Sequence, residues 1–149
     1  MGKFYRHMDS DELGLYSENY MLKLAAANYI RHGGEADKER VLNQLAFRTA
    51  MDNGVPTPMT DNGVVMRIAP FTDSEGGKWL PLYTDLDEVM AGFPTDYTVE
   101  TPMIDLVEEA FGSKSYEGLV INPYTDRVFV DKWDLDLVLD TLGEFYDAC

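Results

Sequence analysis

The sequence predicts one α+β domain, a mixed β-sheet of about five or six strands packed by helices in the order ααβββαβαββα. Three observations carry this. The chain has 149 residues, 45% of them apolar, which is enough for one core and too little for two. Between Ser17 and Asn53 the apolar residues recur at helical spacing. From Val55 onward, short extended runs bounded by Pro, Gly, Asn and Asp alternate with helical ones.

Residues 1–16 lack clear periodicity and read as an N-terminal arm, leaving 17–149 as the domain. Ser17 reads as the cap of a helix whose buried face is Leu22, Ala25, Ala26 and Tyr29, ended by Gly33-Gly34. Asp37 reads as the cap of a second helix with Val41, Leu42, Leu45, Ala46 and Thr49 inward, closed by Asn53-Gly54. Pro56 and Pro58 make Val55–Met59 extended. Asp61-Asn62-Gly63 is a turn and Val64–Ala69 a strand. Residues 73–77 turn the chain again, and Lys78–Tyr83 returns it, with Pro81 marking an edge or bulge. Thr84 then caps a short acidic helix. Tyr97–Glu100 is a strand, and Thr101-Pro102 reads as the N-cap and first residue of a helix to Phe111. Gly118–Asn122 has the continuous apolar run of a buried strand. Pro123–Asp126 turns the chain, Arg127–Val130 returns it, and Asp131 caps a closing helix.

The charge is strongly one-sided. Twelve Lys and Arg face 27 Asp and Glu, a formal net charge of −15. Residues 1–50 balance at seven and seven, so residues 51–149, with five basic and 20 acidic, hold all of it. Such a surface repels phosphate backbones and anionic lipid, so nucleic acid and membrane are excluded as partners. No apolar run reaches the roughly 18–20 residues of a membrane span, and the start, residues 1–6, lacks the apolar stretch of a signal peptide, so none is expected. A cytoplasmic protein is expected.

The segment Leu80-Pro81-Leu82-Tyr83-Thr84-Asp85, an acidic helix, a strand, a helix and then Gly118–Pro123 with its Asn122-Pro123 resemble the SseB-type domain, named for a bacterial protein linked to enhanced serine sensitivity. Tyr83 stands where that family usually has Phe. The resemblance spans residues 17–147. It implies a bacterial, cytoplasmic module with no catalytic residues to carry over. Longer members have a second, C-terminal domain, which this chain is expected to lack. The motif residues also read as structure: Thr84 as a helix cap, Asn122 as an Asn bonding the local backbone of its turn.

Candidate chemistry is sparse. Cys149, the single cysteine, neighbours Asp147 and the α-carboxylate, which disfavour a thiolate. His7 lies in the arm, and His32 stands at a helix C-terminus, where a cation is favoured by the dipole. Asp85/Asp87 and Asp134/Asp136 are two apart on helices and point away from each other, so no metal site is expected. Gly33-Gly34 and Gly76-Gly77 lack the context of a phosphate loop, and no cofactor is expected.

The closing helix says more. Leu135, Val138, Leu139, Leu142, Phe145 and Tyr146 lie on one face, and Asp136, Asp140, Glu144 and Asp147 on the other. Trp133 and Leu137 fall on the acidic side, one turn apart, ringed by Asp134, Asp136 and Asp140. That pair is either covered by another part of the chain or a contact patch for a partner. The expected function is a non-enzymatic module that binds another protein. The alternative is an acidic inhibitor or immunity-type protein that blocks a basic surface, and a ligand-binding or enzymatic domain comes third.

Overall fold

The computed structural model describes residues 19–51, 53–61, 66–92 and 98–147. The expected N-terminal arm, the Ser17 cap, His7 and Cys149 lie outside them. The class is α+β, and its described elements run α1 Tyr20–His32, α2 Glu35–Ala50, β1 Gly54–Asp61, β2 Met66–Ile68, β3 Phe71–Thr72, β4 Lys78–Leu82, α3 Leu86–Met90, β5 Thr98–Pro102, α4 Met103–Gly112, β6 Gly118–Ile121, β7 Val128–Asp131 and α5 Lys132–Asp147.

The strands form two sheets instead of one. An antiparallel sheet is ordered β2-β1-β5, and a mixed four-stranded sheet is ordered β3-β4-β6-β7, with β4 and β6 parallel. The turn at residues 73–77 and the return from Lys78 are present, but among the described residues the expected strand Val64–Ala69 does not pair with Lys78–Tyr83. Met66–Ile68 pairs with β1, and the chain changes sheets across Ala69-Pro70 before Phe71-Thr72 pairs with Trp79 and Lys78. The two-residue β3 is the strand missing from the expected order.

Hydrogen-bond direction explains where the prolines sit. Asn53 accepts from Met103 N–H, so the period-two alternation turns Val55 and Thr57 toward β5 and Pro56 and Pro58 away from it. Among the described residues β2 pairs only with residues 59–61 of β1, so none of its ladder bonds needs the missing N–H groups. Likewise Lys78 and Leu82 accept from Glu117 and Asn122 on the β6 side, which turns Pro81 the other way, beyond the end of β3. Pro81 therefore holds a locally unpaired edge, as its sequence position implied.

Helices α1, α2, α4 and α5 pack on one face of the four-stranded sheet. Leu80, Leu82, Leu119, Ile121, Val128 and Val130 share one core with Leu22 and Ala26 of α1, Val41 and Leu45 of α2, Met103, Leu106 and Val107 of α4, and Leu135 and Val138 of α5. Each fully buried Leu or Ile contributes about 1.5–3 kcal/mol relative to exposure.

Three helix starts differ from expectation. Gly34, not Asp37, precedes α2, and Asp37 lies in its first turn, 2.6 Å from Arg40. Thr101-Pro102 completes β5, and α4 begins at Met103. Asp85, not Thr84, caps α3, accepting from Glu88 N–H at 3.0 Å. The expected C-cap at Gly33 is present with φ 74, and the Asp131 side chain accepts from Asp134 N–H at 2.9 Å at the start of α5.

Candidate functional site

The motif residues meet at one buried junction. Parallel pairing sets Leu80–Leu82 beside Leu119–Ile121, so Thr84 and Asn122 emerge together at the C-terminal ends of β4 and β6. Asn122 is fully buried, in the left-handed region at φ 49 that Asn tolerates. Its Oδ1 accepts from Thr84 N–H at 2.9 Å, and its Nδ2 donates to Thr84 Oγ1 at 3.0 Å. Its own carbonyl accepts from Thr125 and Arg127 N–H. The expected role for the Asn122 side chain, bonding its local turn, is thus corrected: it reaches a strand end 38 residues away. This also explains why Thr84 is not the cap, since its hydroxyl and N–H both face Asn122.

The network continues inward. Thr84 carbonyl accepts from Asn19 Nδ2 at 3.3 Å, and Asn19 Oδ1 accepts from Asn53 Nδ2 at 3.2 Å. Outward, Lys23 Nζ stands 2.8 Å from Asp85 and 3.2 Å from Glu88, and Thr125 Oγ1 donates to Glu88. Burial pulls the Lys23 ammonium down, but the hydrogen bonds and charges of Asp85 and Glu88 outweigh it, and the net is above the ordinary 10.5. Asp126 is pushed up by its burial and by the Glu88 charge, against the pull of Lys23 and Arg31. Tyr83 is buried next to Tyr124, and burial, with a smaller effect of Tyr124, pushes its phenol up. Pro123 is buried too. Among the described residues, every buried side-chain nitrogen and oxygen has a hydrogen-bond partner. The junction is a closed lock between β4, β6 and α1.

The outer face of α5 is different. Leu135, Val138 and Leu142 are buried, while Trp133 is 82% exposed and Leu137 55% exposed. Asp136 and Asp140 are exposed alongside them. Asp134 is only partly open, because its carboxylate pairs with Lys38 of α2 at 3.0 Å. Beside Leu137 lies a groove of about 480 Å³ between α5 and the α1–α2 turn, lined by Tyr29, Gly34, Glu35, Lys38, Glu39 and Leu42 among others.

Sequence reading missed a third surface. Alternation puts Trp79, Val120 and Phe129 on the sheet face away from the helices, and Phe71 pairs with Trp79 there. The Trp79 and Phe129 rings lie 4.6 Å apart, Phe71 and Tyr124 5.9 Å apart, and the Arg127 guanidinium stands 5.0 Å over Phe71. Gly118 makes room for this packing, since a Cβ there would meet the Val130 carbonyl and approach the Trp79 ring. Trp79 Nε1 donates to Asp73 at 2.8 Å, which, with the N–H groups of Gly77, Glu75 and Gly76, holds that carboxyl below the ordinary 3.8. The signal was present: Trp79 and Phe129 alternate with the core residues Leu80 and Val128.

His32 is exposed at the end of α1. Among the described residues, no group of three or more His, Cys, Asp or Glu is placed to hold a metal ion, and no helix is long and apolar enough to cross a membrane. Compared with known proteins, the chain matches no family model, no curated protein and no solved structure.

Proposed function

We propose that the chain is a non-enzymatic, cytoplasmic module of SseB type that works by binding another protein through the outer face of α5. The observation that carries this reading is the 82% exposure of Trp133, one turn from the half-exposed Leu137. An indole so placed loses water contact only when something covers it, and Trp is the side chain most enriched among residues that dominate binding energy. Asp136 and Asp140 beside it, and a net charge of −15, favour a partner whose apolar anchor is rimmed by Lys or Arg. The acids speed encounter, and the Trp supplies most of the affinity. The non-enzymatic reading draws support from the motif junction, whose buried polar groups are engaged with one another.

The test is affinity capture from native lysate with the wild type and with Trp133→Ala plus Leu137→Ser. The double variant is expected to keep its fold and lose the captured partner; equal capture by both would refute the reading. The acidic rim also fits an inhibitor of a basic protein, and dose-dependent inhibition of the captured partner's own activity would mark that role.

A further inference from the structure

We propose that the groove between the α1–α2 turn and α5 seats a basic peptide segment of a partner protein, one that sets an apolar side chain beside a Lys or Arg. This rests on the reading of the Trp133 face and specifies the partner's chemistry there, because Leu137 belongs to both surfaces.

The groove has the volume of a ligand pocket, about 480 Å³. Tyr29, Leu42 and Leu137 supply its apolar part, of which Leu137 is the exposed member, and Glu35 and Glu39 stand exposed on its rim. Lys38, the one cation among the described lining residues, is already engaged: its Nζ lies 3.0 Å from Asp134 and 5.6 Å from the Tyr29 ring centroid. Asp134 accordingly offsets Lys38, and the carboxylates of Glu35 and Glu39 remain for a cation from outside. In a concave site with apolar walls such charges focus the field on an incoming ligand. Leu137 beside two exposed acids at the mouth favours a side chain that is apolar along its stem or neighbour and cationic at its tip.

Gly34 adds a second, independent observation. Gly33 must be glycine-like because its φ is 74, but Gly34 has the ordinary extended values φ −88 and ψ 163. It occupies the N-cap of α2, where Ser, Asp or Asn would accept a hydrogen bond from the helix start. A Cβ there would meet nothing within 4 Å, so neither backbone nor packing demands glycine. With no side chain at this position, the mouth of the groove that Gly34 lines stays open.

The test selects short random peptides displayed on phage against the immobilised full chain, then measures synthesised winners on the wild type, Gly34→Leu, Glu35→Lys/Glu39→Lys and Trp133→Ala. Winners are expected to place Lys or Arg next to Leu, Phe or Met. Their affinity should fall about tenfold or more on Gly34→Leu and on the charge reversal, with each variant still melting cooperatively, at a temperature lowered by the poorer start of α2. Should Gly34→Leu fail to fold, the reversal at the two exposed glutamates decides alone. Winners without a basic-apolar bias, or winners that bind the folded groove variants as well as the wild type, would overturn the groove. Native-partner capture separates the two claims. Loss on Trp133→Ala with full capture by both groove variants sinks the groove and keeps the α5 face. Full capture by all three variants sinks both.

Discussion

The Thr84–Asn122 junction and the outer face of α5 are both built from polar residues and large apolar ones, yet they are opposite in kind. At the junction each buried polar atom has its partner inside the chain, from Asn53 through Asn19 and Thr84 to Asn122. On α5, Trp133 and Leu137 face water while their neighbours Leu135 and Val138 fill the core. The most motif-like residues are therefore spent on holding β4, β6 and α1 together. The residues we propose for recognition belong to no motif. A short sequence signature can mark a lock in the fold as readily as a site.

Substitutions should sharpen that contrast. The largest effect is expected at Ile121, fully buried in β6: Ile121→Ala should lower unfolding free energy by about 2–5 kcal/mol, read by denaturant titration. Next, Trp133→Ala plus Leu137→Ser should weaken the captured partner by more than about 2 kcal/mol while changing stability by under about 0.5 kcal/mol. A large loss of stability there would make α5's outer face part of the fold and break the contrast. Asn122→Ala should cost about 1–3 kcal/mol, because it leaves the buried Thr84 N–H without its acceptor, and the φ of 49 adds roughly 1 kcal/mol for Ala. Its partner capture should survive in full; lost capture with unchanged stability would make the junction a binding site.

The smallest effect concerns acid. Asp73 is held below 3.8 when folded, chiefly by the Trp79 indole N–H, so what its carboxylate contributes is present above 3.8 and lost as pH falls through the lower folded value. In a Trp133→Phe background, Trp79 emission should titrate with a midpoint below pH 3.8. A midpoint above 3.8 would show that the indole does not stabilise the carboxylate.

Much of this was legible before any coordinates. The 100° steps of a helix were enough to put Trp133 and Leu137 opposite Leu135, Val138 and Leu142, because that relation is local. The capping of α3 was not. Thr84 and Asp85 are both cap-forming types, and Thr84 is taken up by Asn122, 38 residues away, which leaves the cap to Asp85. The passage from one sheet to the other at Ala69-Pro70 was hidden for a similar reason, since the two residues of β3 are too few to show a period. The groove arises from residues on three helices and leaves no pattern in any of them.

Amide hydrogen exchange of the full chain, alone and saturated with its captured partner, tests the central claim most directly. The account predicts new protection in Lys132–Asp140 of α5 and residues 33–39 of the neighbouring turn, with the amides of Thr84 and Asn122 slow in both states. New protection confined to the β4–β6 junction, or to the Trp79–Phe129 face of the sheet, would contradict it.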